Sequence, residues 1–380
     1  MSASVYFDHN ASAPLDPRVL ATMLPFMREH HGNASSLHRA GRRARNALDA
    51  ARAQVAMLVG SEPGEVVFTS GGSEANALAV RGCCEARAPG RLLVSAVEHS
   101  SVLEPARALV RAGWVLELIP VDRDCRVDLA AFDALLERGP VALVSVMLAN
   151  NETGVLQDVA AIAARVRRRG AVLHVDAAQA AGRVPIDMRA LGCQLLTLSA
   201  HKLHGPQGAG ALLRDRGLQL APLITGGGQE QGLRGGTEPV AALVGFGAAA
   251  ALAAAELPAR AAAMLVLRQR LEAGLRELRG VALVAEGAAR LPNTVQFALA
   301  GLDGAALQMG FDRLGFAVST GSACHAGRPS HVLAAMGLPN DIAQGAIRVS
   351  LGKDNTASEV DAFVGALAGI SAALPVAAVG

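Results

Sequence analysis

The sequence predicts an α/β fold: a large domain with a mainly parallel sheet covered by helices, then a smaller α+β domain. Three observations carry this. Short apolar runs recur along the first two thirds of the chain, with helical stretches between most of them. The runs are continuously apolar rather than alternating, as in strands buried on both faces. After a long helical stretch the rhythm changes to shorter, mixed elements.

Taken in order, the apolar runs lie at 66–69, 92–97, 115–119, 141–148, 171–175, 195–198 and 209–213. Helical stretches fall at 74–87, 102–111, 129–137 and 159–169. A strand followed by a helix and another strand is the repeating unit of a parallel sheet. The long helical stretch runs from 239 to 279. Shorter elements follow at 281–285, 294–297, 306–314 and 347–350, then a last helix at 357–372. We assign residues 15–255 to the large domain, and 1–14 with 256–380 to the smaller one.

Bulk composition narrows the function. The 380 residues allow a large core and two domains. A net charge of +2 leaves no electrostatic footprint for direct contact with nucleic acid. Arg165, Arg167, Arg168 and Arg169 read as the solvated C-terminal end of a helix, where cations are favoured. Ala inflates the 51 % hydrophobic content, and the Ala-rich stretch 246–257 reads as too weakly apolar for a membrane span. The N-terminal segment has no basic region followed by an apolar one, so no signal peptide is expected. Five cysteines without regular spacing argue against a disulfide framework. Both features point to a cytoplasmic protein. Cys83 and Cys84 fall in a helical pattern and are expected on a buried helix face; no metal site is expected.

The most informative stretch is Ser199-Ala200-His201-Lys202-Leu203-His204-Gly205-Pro206. It follows the apolar run 195–198, and Asp176 follows the run 171–175. Ligands of open α/β sheets bind at the carboxyl ends of strands. A lone lysine would read as a solvated surface group. A lysine between two histidines, with an acid after the preceding strand, suits pyridoxal phosphate (PLP) instead. The lysine forms an imine with the aldehyde, and the acid keeps the pyridine nitrogen protonated so that the ring acts as an electron sink.

Other strand-end loops support that reading. Gly71, Gly72 and Ser73 lie between a strand and a helix, where glycine backbone, first-turn amides and a hydroxyl suit a phosphate. Ser199 and His201 flank the lysine and can add donors to the same phosphate. His99 follows the run 92–97, placed to stack on a ring or shuttle protons. Asn150 and Asn151 follow the run 141–148. Their amides suit a ring oxygen or a substrate carboxylate, although Asn-Glu-Thr-Gly is also good turn chemistry.

Many ordered motifs now accumulate. They include Tyr6-Phe-Asp-His-Asn-Ala11, Gly32-Asn-Ala-Ser-Ser-Leu-His38, Phe68-Thr-Ser-Gly-Gly-Ser-Glu74, Glu98-His99, Asn150-Asn-Glu-Thr-Gly154, His174-Val-Asp-Ala-Ala-Gln179, Ser199-Ala-His-Lys202, Arg234-Gly-Gly-Thr237, Thr320-Gly-Ser-Ala-Cys324 and Arg348-Val-Ser350. Nearly end to end, the chain resembles the cysteine desulfurases of the NifS/IscS type, which are class-V, fold-type I PLP enzymes. The resemblance implies that Lys202 bonds the cofactor, Asp176 partners the pyridine nitrogen, Gln179 contacts the ring's phenolic oxygen and His99 stacks on the ring. It places Gly72, Ser73, Ser199 and His201 at the phosphate. Thr237 matches a threonine that reaches the phosphate of the other subunit, which implies a homodimer. Asn151 and Arg348 match residues that hold the carboxylate of the substrate, L-cysteine.

The same resemblance gives Cys324 its role. A thiolate there takes sulfur from cysteine as a persulfide and releases alanine. Its surroundings, Gly321-Ser-Ala-Cys-His-Ala-Gly327, are small and polar, and His325 is a candidate proton acceptor. Only His-Ala-Gly-Arg-Pro-Ser separates Cys324 from His331, and a short loop reaches less far. Cys324-His325 is also similar to the equivalent segment of selenocysteine lyases, so that activity competes, as does a catalytically silent scaffold of the same fold. Lys202, Asp176 and Cys324 together speak against the scaffold. The sulfur-acceptor protein stays open: an iron–sulfur scaffold, a tRNA or DNA thiolation enzyme, or a cofactor-biosynthesis protein.

Overall fold

The structure, a computed structural model, describes residues 4–299, 301–320 and 330–372. The strands are β1 (Val5–Tyr6), β2 (Val66–Thr69), β3 (Arg91–Ser95), β4 (Val115–Ile119), β5 (Leu143–Met147), β6 (Val172–Asp176), β7 (Leu195–Ser199), β8 (Gly210–Arg214), β9 (Val281–Leu283), β10 (Thr294–Leu299), β11 (Phe316–Ala317) and β12 (Ala346–Ser350). Seven of them form the main sheet in the order β2-β8-β7-β6-β5-β3-β4. Only β8 runs against the rest, pairing antiparallel with both β2 and β7. The sheet is therefore mainly parallel, as its apolar runs require.

Burial on both faces shows in single strands. On β3, Leu92 and Val94 join the core on one side of the sheet, and Leu93 joins the core on the other. Each such side chain contributes roughly 1.5–3 kcal/mol over exposure, so the two-sided core dominates the fold's stability. One covering layer contains the helices Arg39–Leu58, Val159–Arg168 and the start of Val240–Arg276; the other contains Gly72–Ala77 and Ser100–Val110.

Local chemistry sets the helix ends. Asp128 accepts from the amides of Ala130 and Ala131, and Asp158 from that of Ala161, so each caps the helix after it. Arg165, Arg167 and Arg168 fall in the last turn of Val159–Arg168, where the dipole favours them. The stretch 74–87 is helical but not uniform. Gly72–Ala77 continues through a π turn at Leu78–Gly82 into Cys83–Glu85, and both cysteines are buried.

The second region holds the antiparallel sheet β12-β10-β9 and the parallel pair β1-β11. Its core gathers Phe7, Phe297, Phe311, Phe316 and Phe363. Helix Val240–Arg276 passes from one region to the other, and residue 255 lies within it. One correction concerns this helix. Its apolar window reaches a mean hydropathy of 1.9, long and apolar enough to cross a membrane by length and composition. The run of alanines, counted residue by residue, hid that. Leu243, Phe246, Ala249, Ala250 and Ala253 on it are buried in the main core.

Candidate active site

Because the strands run parallel, the chain leaves β2, β3, β5, β6 and β7 at one edge of the sheet. A cavity of ≈ 330 Å³ opens there, lined by Gly72, Ser73, His99, Asn151, Asp176, Gln179, Ser199, His201, Lys202 and Arg348. Ten of the residues singled out in the sequence therefore meet in one place. Thr237 is exposed and outside this cavity. Cys324 and His325 lie outside the described residues, as does most of the segment leading to His331.

Lys202 ends a short 3-10 turn that follows β7. Its Nζ donates to the carbonyls of Asn10 and Ala11, the latter at 2.7 Å. Burial pushes its pKa down to about 7, and the cations Arg183 and Arg348 add to this against Asp8 and Asp176. Asp176 closes β6. Its Oδ2 accepts from Asn76 Nδ2 at 2.7 Å and its Oδ1 from the Ala178 amide at 2.9 Å. The carboxylate is thus held from two sides with both oxygens engaged.

The phosphate-side residues form a consistent group. Gly72 opens its helix facing Ser199, where an added Cβ would come within 3.3 Å of the serine Cβ. Ser199 Oγ is buried with no hydrogen-bond partner among the described residues. His201 Nδ1 lies 3.2 Å from Ser12 Oγ, and burial with the adjacent Lys202 lowers its pKa to about 4. His201 is therefore neutral near pH 7 and offers a hydrogen bond, not a charge.

His99 caps helix Ser100–Val110. Its Nδ1 accepts from the Ser101 amide at 3.1 Å, which places the ring proton on Nε2 in the neutral form. The two asparagines separate by role. Asn150 Oδ1 accepts from the amides of Glu152 and Thr153, so Asn150 is a turn residue; Asn151 is the one that reaches the cavity. Gly154 completes that turn at φ +75, with Thr294 Cβ only 2.7 Å from where a Cβ would sit. Arg348, on β12, donates to the Asn151 carbonyl and to Asp8, while its buried Nε has no hydrogen-bond partner among the described residues.

Similarity to known proteins accords with this geometry. The model of the family "Aminotransferase class-V" matches residues 5–363. The chain is 46 % identical to a cysteine desulfurase of Cereibacter sphaeroides, covering 94 % of this chain and 93 % of that one. It is 40 % identical to "Cysteine desulfurase IscS 1" of Archaeoglobus fulgidus, covering 96 % of each. A solved NifS-like protein from Rickettsia africae superposes with a TM-score of 0.89 at 36 % identity, covering 97 % of this chain and 99 % of that one. The chain belongs to the class-V aminotransferase family. Within it, this is a PLP-dependent cysteine desulfurase of the NifS/IscS type.

The desulfurase's own residues fit the cofactor. A desolvated amine, a carboxylate fixed at a strand end, a hydroxyl and an arginine nitrogen without partners among the described residues all belong to side chains that line one cavity. Several residues of the site escaped the sequence reading. Asn76, four residues into its helix, holds Asp176. Glu98 is fully buried. One oxygen accepts from the Met147 amide at 2.6 Å, and burial, with nearby Asp176, raises its pKa well above the usual carboxylate range. Arg183 donates to Gln179 and to the His9 carbonyl. Ser330 donates to the buried Glu152 at 2.5 Å, and His331 Nε2 lies 2.9 Å from the Glu98 carbonyl oxygen. Among these, Glu98 and Glu152 alone lay in motifs legible in the sequence, Glu98-His99 and Asn150-Asn-Glu-Thr-Gly154.

Proposed function

We propose that this desulfurase takes sulfur from L-cysteine onto Cys324, giving L-alanine and a cysteine persulfide that an acceptor protein then receives. The carbon–sulfur bond of the substrate breaks, and a sulfur–sulfur bond forms to the Cys324 thiolate. The two protons that this exchange frees, from the substrate thiol and the Cys324 thiol, end on alanine and the persulfide, so atoms balance. The observation that carries the reading is the meeting of Lys202, Asp176 and Arg348 at one cavity.

PLP, when bound, supplies an electron sink for the substrate's carbanion. The chain's own residues do the rest. Lys202, with its pKa near 7, offers a neutral amine at physiological pH. Asp176, anchored by Asn76 and Ala178, holds a proton at the pyridine nitrogen. Ser73, Ser199 and the Gly72 backbone give hydrogen bonds to the phosphate, joined by neutral His201. Arg348 and Asn151 orient the substrate carboxylate, with the arginine fork suited to a planar anion. His99, which lines the same cavity with Nδ1 held by the Ser101 amide, would lie against the cofactor ring and could carry a proton on Nε2. Thr237, exposed on one chain, would reach the phosphate of the partner subunit in a homodimer. The thiols of the four described cysteines support a cytoplasmic location, where an iron–sulfur scaffold is one acceptor of suitable chemistry.

Mass spectrometry of the protein after incubation with cysteine tests the sulfur route. Wild type should gain one sulfur on Cys324, and Cys324→Ser should gain none while keeping the absorbance of the bound cofactor. An added sulfur on any other cysteine, or full alanine release by Cys324→Ser, refutes the assignment. Cys83, Cys84, Cys125 and Cys193 are buried with raised pKa values, so none offers a thiolate.

A further inference from the structure

Arg183 is 6 % exposed, yet its three hydrogen bonds among the described residues all go to neutral oxygens. Nη1 donates to the Gln179 carbonyl at 2.9 Å and to Gln179 Oε1 at 2.6 Å; Nη2 donates to the His9 carbonyl at 3.0 Å. It makes no ion pair among the described residues. A buried arginine without a carboxylate is an uncompensated charge, which burial disfavours. Burial lowers its pKa to about 9, which still leaves it charged at neutral pH.

Two consequences follow at the cavity. Guanidinium can only donate, so the Gln179 oxygen must face Arg183. The Gln179 nitrogen then donates one hydrogen to the Asn10 carbonyl at 3.0 Å and keeps a second for the cavity, which Gln179 lines. The amide cannot turn over without setting N–H against N–H. Asn10 also accepts from Lys202 Nζ, so Arg183, Gln179, Asn10 and Lys202 form one chain of hydrogen bonds. Arg183 and Lys202 share the wall of a small void of ≈ 20 Å³.

We propose that Arg183 is a positioning residue for the cofactor: it locks Gln179 with N–H toward the cavity and sets an unpaired positive charge beside the Lys202 nitrogen. This rests on the reading that Gln179 meets an anionic oxygen of the cofactor ring. The locked amide gives that oxygen a donor; a turned amide would oppose it with a carbonyl. The charge disfavours a proton on the Lys202 nitrogen, alone or bonded to the cofactor, because that nitrogen is cationic when protonated in either case. Arg348 acts in the same sense, Asp8 and Asp176 oppose it, and neutral His201 stands next to the lysine.

The test uses the full-length holoenzyme and reads two quantities besides activity. One is the pH midpoint of the absorbance change of the lysine-bound cofactor. The other is the PLP dissociation constant by equilibrium dialysis. Arg183→Met should raise the midpoint by about one unit, the size of one nearby charge. It should weaken PLP binding about tenfold, as expected for one lost buried hydrogen bond. Arg183→Lys should restore the midpoint. Gln179→Glu, which still pairs with Arg183 but has no N–H, should weaken PLP binding in the same way. A midpoint that stays put in Arg183→Met overturns the proposal, whatever happens to thermal stability. Wild-type PLP affinity in Gln179→Glu also overturns it. If Arg183→Met does not fold, Gln179→Glu and the midpoint in Arg183→Gln decide. A wild-type holoenzyme without lysine-bound absorbance would instead refute the function itself.

Discussion

Lys202 stands out among the charged groups because its environment favours the neutral amine. Lys202→Ala should abolish both the absorbance of lysine-bound PLP and alanine release; survival of either removes the assignment. Asp176→Asn is a subtler case. The Asn76 and Ala178 donors that hold Asp176 remain, so the cofactor should still bind. Turnover should fall by about a hundredfold or more, within the range of a lost proton-handling group. Wild-type turnover at full cofactor occupancy would exclude the role. Arg348→Lys keeps a charge but loses the fork. KM for cysteine should rise by about tenfold or more with a smaller change in kcat, because charge-assisted hydrogen bonds are worth about 1.5–3 kcal/mol. An unchanged KM would place the carboxylate elsewhere.

Elements decide how closely these residues approach one another. β8 runs antiparallel beside β2, and Gly210 at its start pairs with Thr69. An added Cβ on Gly210 would sit 2.5 Å from the Gly71 carbonyl carbon, and backbone cannot swing aside as a long side chain does. Gly210→Ala should therefore push the 70–73 loop away from Ser199. Overpacking costs about 1–3 kcal/mol, so the fold should survive while PLP affinity drops. Equal loss of thermal stability with unchanged PLP affinity, read by absorbance titration, would show that the loop yields without moving the phosphate donors.

The whole molecule carries a pH signature. His9 is lowered to about 3 and His174, His201 and His204 to about 4, each chiefly by burial. Between those values and the ordinary 6.5, the unfolded chain binds protons that the folded chain refuses. Stability therefore falls as pH drops through that window. Glu98 and Glu152, raised by burial, act in the opposite sense above their ordinary 4.5. Four imidazoles outnumber two carboxyls, so the net effect is acid destabilisation. The Tm of the cofactor-free chain should be lower at pH 5 than at pH 6.5. A flat or rising Tm would mean that the buried histidines accept protons in the folded state.

Sequence by itself determined most of the frame and the core of the chemistry. Strands β2 and β4 and helices Leu129–Glu137 and Ala357–Ala372 lie where the residue patterns put them. Hydrophobic runs and caps are short-range signals, legible without the fold. Lys202 and Asp176 were legible for the same reason, because each follows its own strand. Tertiary structure decided what lies beyond the local window. Asn76 reaches Asp176 across 100 residues, Lys202 reaches Ala11 across 191, and Arg348 meets Asp8 across 340. It separated Asn150, spent on a turn, from Asn151, which faces the cavity. It also made Arg183, in sequence an ordinary cation after Gly182, a buried charge against the site. Packing sets the local dielectric and the hydrogen-bond partners, and those set what a charged side chain does.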